Sequence, residues 1–272
     1  MADVRERIKF DGWELTEGTV RDWEVRDGMD GVPGMIGDNL TVANRSGEVW
    51  RPKVMGSGKF TVQLWLAGKT ISAAQDAWRT LLRATVRPHR LVRVQRTMAS
   101  GEVIYCNAEV TGGVEPTHLA LNVYRASITF NVPEGVWYSE KVYGHETPAG
   151  HTGVTLYLPG LAPSTAPLEN LTYTFWGRVT NPHILDNTDG GYLDKLTYSN
   201  TIASGKYLQF DAATWGIGGN TPAANNDITP TGRRLMTIGA ERPGDTPSVR
   251  FEGSSPDSKT KLRISGRRVY LC

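Results

Sequence analysis

One stretch of this chain repeats its apolar residues at helical spacing, whereas the rest has the pattern of strands and turns. Between Ser72 and Val86 the apolar positions recur every three or four residues, as expected for the side of a helix that covers a sheet. These positions are Ala74, Ala77, Trp78, Leu81, Leu82 and Thr85. Ser72 with Gln75 has the pattern of a capping box, and Pro88 cannot continue a helix. We therefore predict a single helix over residues 72–86, with a sheet beneath it.

Strands and tight turns account for the other residues of the first half. Residues 59–66 alternate strictly between apolar and polar side chains, and residues 91–96 and 103–110 form the two arms of a predicted hairpin. In residues 119–132 the apolar positions change from odd to even numbers near Tyr124, which predicts a β-bulge.

A segment rich in proline and glycine divides the chain. The 272 residues are enough for two domains, each with its own core. We predict an N-terminal β-sheet or sandwich domain over residues 1–138, a linker or ordered extension over 139–167, and a C-terminal β-sandwich over 168–272. Within the sandwich, Gly216 to Thr231 has the composition of an exposed loop. The predicted fold class is mainly β with one α-helix.

Composition argues against several classes of protein. Thirty Lys and Arg residues against 28 Asp and Glu residues give a net charge of +2, a weak argument against nucleic-acid binding as the main function. No run of 18 apolar residues occurs and the first residues are charged, so we expect neither a membrane span nor a signal peptide, and retention in a cytosol. Cys106 and Cys272 are too far apart for a disulfide framework or a metal site, and Cys106 is expected in the core.

Two groups of side chains come near a metal-binding pattern without meeting it. His145 and His151 are separated by glycine and proline residues that exclude the helix such a pair requires. The second group lacks the alternating ligand spacing of a calcium loop and is better explained by turns. It consists of Asp186, Asp189 and Asp194. We therefore expect no catalytic residues, no cofactor and no metal.

Aromatic residues of the second half offer one binding hypothesis. Trp176, Tyr198 and Trp215 are candidates for a platform on which a sugar ring stacks, as in lectin-like sandwich modules. The alternative, which we favour, is that Trp176 fills a core or a contact between subunits.

Short motifs follow one another in a fixed order along nearly the whole chain. They are the Gly-x-x-x-Ser turn of residues 68–72, Pro-x-x-x-Trp-Tyr of residues 133–138, Asn181-Pro182, Gly-x-x-Leu-x-x-Asp of residues 205–211, and Pro243-Gly244-Asp245. In this order they resemble the distal tail proteins, or Dit-like minor tail proteins, of bacteriophages with long non-contractile tails (siphophages).

The resemblance implies a structural virion protein. The first domain would form a hexameric ring that continues the tail tube, and the galectin-like second domain would lie outside it. The expected partners are further copies of the chain, the tail tube protein, the tape-measure protein, and tail-tip and receptor-binding proteins. DNA would pass through the ring without specific binding. The protein would be assembled in the host cytoplasm and located at the tail tip. The alternative is a carbohydrate-binding adhesion module that recognises the host cell surface.

Charge is segregated within the first domain. Residues 11–38 hold eight acids and two arginines, whereas residues 79–96 hold six arginines and no acid. We hypothesise that the helix arginines of one subunit meet the acidic segment of the next, in the head-to-tail contact that closes a ring. The named residues are Arg79, Arg83 and Arg87 on the basic side, and Glu14, Glu17, Asp22 and Glu24 on the acidic side. Pairing within one subunit, or simple solvation, is the alternative.

Overall fold

The fold was analysed in a computed structural model of the chain. It describes residues 7–15, 20–27, 29–38, 40–41, 48–49, 54–112, 114–187, 195–222, 227–231, 238 and 245–271. The chain divides into two compact units, one of residues 1–140 with 270–272 and one of residues 141–269. The predicted domain limits stay a prediction, because this division does not test whether either part folds alone. Cys272 lies outside the described residues.

Unit 1 contains the helix and the first strands. Its elements are β1 (Arg7–Phe10), β2 (Trp13–Glu14), β3 (Val20–Asp27), β4 (Met35–Ile36), β5 (Leu40–Thr41), β6 (Glu48–Val49), β7 (Val54–Met55), β8 (Gly58–Ala67), α1 (Ile71–Thr85), β9 (Val92–Thr97), β10 (Val103–Val110), β11 (Thr117–Ala120), β12 (Val123–Val132) and β13 (Val136–Glu146), whose last residues belong to unit 2. All pairings below are antiparallel.

Two larger sheets form most of unit 1, and two two-stranded sheets, β4-β7 and β5-β6, lie beside them in the sequence. The first has the order β2-β1-β9-β10-β13, and the second has the order β11-β12-β8-β3. Strand β10 also pairs with β12 at its end, so it joins the two sheets. The predicted hairpin of residues 91–110 is confirmed as β9 and β10. The alternation predicted for residues 59–66 is confirmed in β8, where Phe60, Val62, Leu64 and Leu66 are buried.

A row of buried aromatic rings lies in the core of unit 1. Phe130 stacks on Phe10 at 5.2 Å and on Phe60 at 5.0 Å, and Phe60 contacts Trp137 at 5.4 Å between ring centroids. All four side chains are at most 1% exposed. Cys106 is fully buried in the same core, as expected.

The predicted helix is confirmed, with shifted ends. Helix α1 packs against β8 and β12 and spans Ile71–Thr85. The N-cap is Thr70, whose hydroxyl accepts a hydrogen bond from the Ala73 backbone N–H at 3.2 Å, so the capping box predicted at Ser72 is wrong. The buried stripe is Ala74, Ala77, Leu81, Ala84 and Thr85; Trp78 and Leu82 are only partly buried.

Gly68 allows the chain to turn directly from β8 into α1. A Cβ atom at this position would lie 2.3 Å from the Ala74 nitrogen and 2.7 Å from the Thr70 oxygen. The Gly68 carbonyl accepts a hydrogen bond from the Asn122 side chain at 2.6 Å, which ties this turn to the loop between β11 and β12. The N-cap therefore lies at Thr70, two residues before the predicted cap at Ser72.

The parity change near Tyr124 has a different cause from the predicted bulge. Residues 117–132 form a hairpin, β11 and β12, with a turn at Leu121 and Asn122. The apolar residues change parity because the chain reverses direction there. A register shift does occur, but it lies between His118 and Ala120 of β11.

Unit 2 is a β-sandwich. Its elements are β14 (Val154–Tyr157), a 3-10 helix (Pro159–Leu161), β15 (Thr172–Trp176), β16 (Val179–Asp186), β17 (Lys195–Tyr198), β18 (Thr201–Ile202), β19 (Tyr207–Asp211), β20 (Gly216–Gly219), β21 (Ile228–Thr231), β22 (Ser248–Ser254) and β23 (Lys261–Leu271), whose last residues belong to unit 1. One sheet has the order β23-β15-β19-β20, and the other has the order β14-β22-β16-β17-β21, with β18 on β16. Phe175 of the first sheet contacts Phe251 of the second at 6.0 Å in the core.

One expectation for the second half changes. Residues 216–231 were expected to be an exposed loop, but Gly216–Gly219 pairs with β19 and Ile228–Thr231 pairs with β17. Backbone pairing requires no apolar side chain, which is why a stretch as rich in glycine as 216–219 can form a strand. Residues 139–167, expected to be a linker or extension, hold the end of β13, β14 and the 3-10 helix.

Replacing Gly68 with alanine tests the tight entry to the helix. We expect Gly68→Ala to lower the free energy of unfolding by about 1–3 kcal/mol, because the added methyl group meets backbone atoms that cannot move independently. Urea unfolding followed by circular dichroism measures this change. Gly34→Ala is the matched control, since a Cβ at Gly34 meets nothing within 4 Å. Equal effects of the two substitutions would contradict the steric explanation.

Candidate functional site

The helix arginines differ in their surroundings. Arg79 is 65% exposed, and its guanidinium lies 3.2 Å from Asp76, one turn away on the same helix. Arg83 is exposed and makes no ion pair with any residue in the part of the chain that the structure describes. Arg87, beyond the helix, lies 3.5 Å from Asp11. The structure therefore leaves Arg79 and Arg83 as the cations that face solvent on α1.

Acidic residues of the same unit pair with the arginines that follow the helix. Asp11 accepts a hydrogen bond from the Arg90 guanidinium at 2.6 Å and from the Arg93 backbone N–H at 3.1 Å. The Arg93 side chain reaches Glu140 at 2.6 Å. Pairing within one subunit thus accounts for much of the charge segregation seen in the sequence.

Arg96 is the buried member of this series. Its side chain is 7% exposed and makes two hydrogen bonds to the carboxylate of Asp30, at 2.6 and 3.2 Å. It follows Val92 and Val94 on the buried side of β9, so it continues an apolar face and needs the carboxylate to compensate its charge.

The proposed acidic partners are only partly described. Glu14 is 6% exposed, and its carboxylate lies 3.0 Å from Lys9 and 3.7 Å from Arg7. It therefore acts within its own subunit. Glu17 lies outside the described residues. Asp22 and Glu24 lie on β3, of which the structure describes the backbone.

The structure separates the three aromatic candidates of unit 2. Trp176 is 37% exposed and stacks on Tyr207, with 4.6 Å between ring centroids. Tyr198 is 2% exposed in the other sheet, and its hydroxyl donates to the Pro222 carbonyl at 3.4 Å. It is therefore a core residue and not a sugar contact.

Trp215 does not join Trp176 in one platform. It follows β19 at the end away from Tyr207, where its ring meets the edge of Phe210 at 5.4 Å. Its φ of 56° places it in a left-handed turn position. Of the three aromatic candidates, Trp176 thus remains the exposed one.

Polar residues next to Trp176 could not be found from the sequence. Strand β15 places Trp176 opposite Tyr207 of β19 on one side and Lys261 of β23 on the other. Lys261 is 85 positions away in the chain, so strand register alone brings the two together. The one sign of this cluster in the sequence is that Lys261 and Arg263 alternate with apolar residues, which are buried in β23.

The described residues show no centre of metal chemistry. None of their His, Cys, Asp and Glu side chains form a group of three that could hold a metal ion. Burial lowers the pKa of His145 below its ordinary value. Asp189 and Asp194 lie outside the described residues. No helix among the described residues is both long enough and apolar enough to cross a bilayer.

No protein-family model and no curated protein matches the sequence. Among solved structures, the chain is similar to the crystal structure of the SPP1 Dit protein, a paradigm of the hub adsorption apparatus in phages that infect Gram-positive bacteria. The TM-score is 0.65 at 12% sequence identity, and the likeness covers 98% of this chain and 100% of that chain. A chain of the phage P2 baseplate in its activated conformation with Ca covers 96% of this chain and 98% of its own, with 10% identity. Its TM-score of 0.42 is too low to support an argument.

The likeness to SPP1 Dit concerns the fold. It extends over both units, since it covers 98% of this chain. The distal-tail fold indicated by the order of the motifs is therefore confirmed. At this level of identity, individual residues and their roles do not transfer from one chain to the other.

Removing the charge of Glu14 tests whether this residue acts inside the subunit. We expect Glu14→Gln to lower the free energy of unfolding by about 1 kcal/mol, because two partly exposed cations lose a buried carboxylate. The oligomeric state, measured by native mass spectrometry, should not change. Glu115→Gln, at an exposed position, is the control and should leave stability unaltered. Loss of oligomers from Glu14→Gln at unchanged stability would instead place Glu14 between subunits.

Proposed function

We propose that this chain is a structural protein of a bacteriophage tail, a distal tail protein that forms a hexameric ring at the tail tip. The observation that carries the proposal is the likeness to SPP1 Dit over 98% of this chain and 100% of that one. A match of both units in one order is more specific than the likeness of a single sandwich, which many unrelated proteins share.

Charge on the helix supports a contact between copies. Arg79 and Arg83 lie one turn apart and repel each other, so an acidic partner stabilises them. The acidic segment 11–38 of the next copy offers such a partner, through Glu17, Asp22 and Glu24 and the exposed Asp38. Because the two surfaces differ, the contact is head-to-tail and closes into a ring.

Exposed apolar side chains lie beside both charged surfaces. Ile71 and Val86, at the two ends of the helix region, are 46% and 45% exposed. Val32, Met35 and Ile36, within the acidic segment, are 57–67% exposed. Exposed ion pairs contribute only about 0–1 kcal/mol each. Burial of these apolar residues would therefore supply most of the stability of the ring, while the charges set its register and speed its assembly.

The ring would join the tail tube to the tip. Its partners would be the tail tube protein, the tape-measure protein, and the tail-tip and receptor-binding proteins, with DNA passing through the centre. The protein would have no catalytic activity and would be assembled in the host cytoplasm. The residues of the proposed contact between copies all lie in unit 1. Unit 2 would therefore be free to lie on the outside of the ring.

Electron microscopy of the purified protein tests the proposal. We expect negatively stained particles with sixfold symmetry, and a native mass about six times the chain mass of 29.9 kDa. In phage particles, antibodies against unit 2 should label the tail tip. A purified protein that stays monomeric, together with label along the tail or on the capsid, would overturn the proposal.

Reversing the two helix charges tests the proposed contact. We expect Arg79→Glu with Arg83→Glu to shift the native mass from hexamer toward monomer, because both replacements would face an acidic segment. The circular dichroism spectrum should not change, since both side chains are exposed.

The matched control is Lys59→Glu with Lys69→Glu, which makes the same change in net charge at two exposed positions of unit 1. A hexamer that survives the arginine exchange in both low and high salt would exclude this interface. Equal dissociation in the control would attribute the effect to total charge.

A further inference from the structure

A pocket of unit 2 opens on the outer face of the sheet that contains β15 and β23. The proposed ring contact does not use this pocket. Its volume is about 490 Å³, within the range of small-molecule sites. The lining residues are Glu146, Ala149, Trp176, Gly177, Gly205, Lys206, Ser258, Lys259, Lys261 and Arg263. We propose that this pocket binds an acidic sugar, a pyranose ring that carries a carboxylate or a phosphate group.

Strand register places an aromatic ring beside a row of cations. Trp176 lies opposite Lys261 across β15 and β23, and Arg263 follows on the same face of β23. Leu262 and Ile264, between and beyond them, are fully buried, so the cations point away from the core. Trp176 is held in place by its stack with Tyr207.

The pocket carries an excess of positive charge. Four cations line it, and its single carboxylate, Glu146, lies 3.0 Å from the Lys261 ammonium group. The side chains of Lys206, Lys259 and Arg263 make no hydrogen bond or ion pair with other residues that the structure describes. An anion in the pocket would therefore meet cations that have no partner in the described part of the protein.

A second carboxylate, Asp257, holds the turns at the rim of the pocket through hydrogen bonds within the protein. Asp257 accepts hydrogen bonds from the Ser204 hydroxyl at 2.7 Å, the Lys259 backbone N–H at 2.9 Å and the Arg178 backbone N–H at 3.1 Å. The bond from Ser204 is the main reason that the pKa of Asp257 falls to about 2. These bonds hold together the turns that carry Gly205 and Lys259, so the rim of the pocket is built before a ligand arrives.

Gly177 shows how closely the rim is packed. Its φ is +78°, and a Cβ atom there would lie 2.6 Å from the Thr260 nitrogen and 2.7 Å from the Asp257 carboxylate. Only glycine fits at this point, where the chain leaves Trp176 and meets the turn before β23.

The combination of groups selects the class of ligand. Cations alone would suit any anion, including an acidic peptide, but an exposed indole beside them provides a flat apolar surface for the C–H face of a sugar ring. Ser258 and Glu146 add polar atoms that can bond to sugar hydroxyls. A sugar that is both cyclic and anionic uses all three features.

Calorimetric titration of the full chain with matched sugars tests this inference. The probes are trigalacturonate, its uncharged methyl ester, glucose 6-phosphate, glucose, and hexaglutamate as an acidic peptide. We expect trigalacturonate to bind at least about tenfold more tightly than the ester, and salt to weaken it. Glucose 6-phosphate should bind, and glucose should not.

Single substitutions locate the site. Arg263→Gln and Lys206→Gln should each weaken trigalacturonate binding about tenfold, since each removes one charge-assisted contact. Trp176→Ala should weaken sugar binding and leave any binding of hexaglutamate unchanged. Lys141→Gln, at an exposed cation of the same unit that does not line the pocket, is the control.

Several results would overturn the inference. Equal affinity for trigalacturonate and its ester would exclude recognition of the charge. Sugar binding that Trp176→Ala leaves unchanged would exclude stacking on the indole and with it the proposed site. Hexaglutamate as the one probe that binds would identify the pocket as a contact for an acidic protein segment. If none of the probes bound, the inference of an acidic-sugar site would also be rejected. None of these results bears on the ring, whose test is the native mass.

Discussion

The structure of unit 1 depends on one row of aromatic rings. Phe10, Phe130, Phe60 and Trp137 come from four strands distributed over both sheets, and each ring contacts the next. Because β1, β8 and β12 are far apart in sequence and the rings come from both sheets, the row is complete only when both sheets have formed. Helix α1 can then cover β8 and β12 with the small residues of its buried stripe. A helix that buries mostly alanine approaches a sheet closely, which leaves its long polar side chains on the outside.

The charges of unit 1 follow from the same arrangement. Arginines that lie on strands, such as Arg93 and Arg96, are held in fixed register and reach carboxylates of their own subunit. Arg79 and Arg83 lie on the outer side of the helix, where strand register brings no acid from another described element to them. Folding thus pairs arginines such as Arg93 and Arg96 within the subunit and leaves the two helix arginines exposed to solvent. This exposure is what the proposed contact between copies requires.

The sequence predicted the helix and the strands better than it predicted the turns and the contacts between side chains. Periodicity identified the helix and most long strands, since burial on one side imposes period 3.6 or 2. It failed at the turn of the β11–β12 hairpin, where Leu121, which is 78% exposed, and Asn122 reverse the chain without glycine or proline. The cap shifted to Thr70 because Gly68 turns the chain early. Trp176 was found as a candidate, but the cations beside it come from β23 and from turns held by Asp257. Such neighbours depend on strand register, which composition does not contain.

The pairing of β1 has a consequence for synthesis on the ribosome. Apart from the short β2, this first strand pairs with β9, whose last partner residue is Thr97. Residues 7–10 must therefore wait until about ninety further residues have left the ribosome exit tunnel before their sheet can form. Contacts of such long sequence separation slow folding and expose apolar strands meanwhile. Nascent chains on one messenger would thus stay incompetent for assembly at least until β9 has emerged, which keeps shorter, partly made subunits from associating.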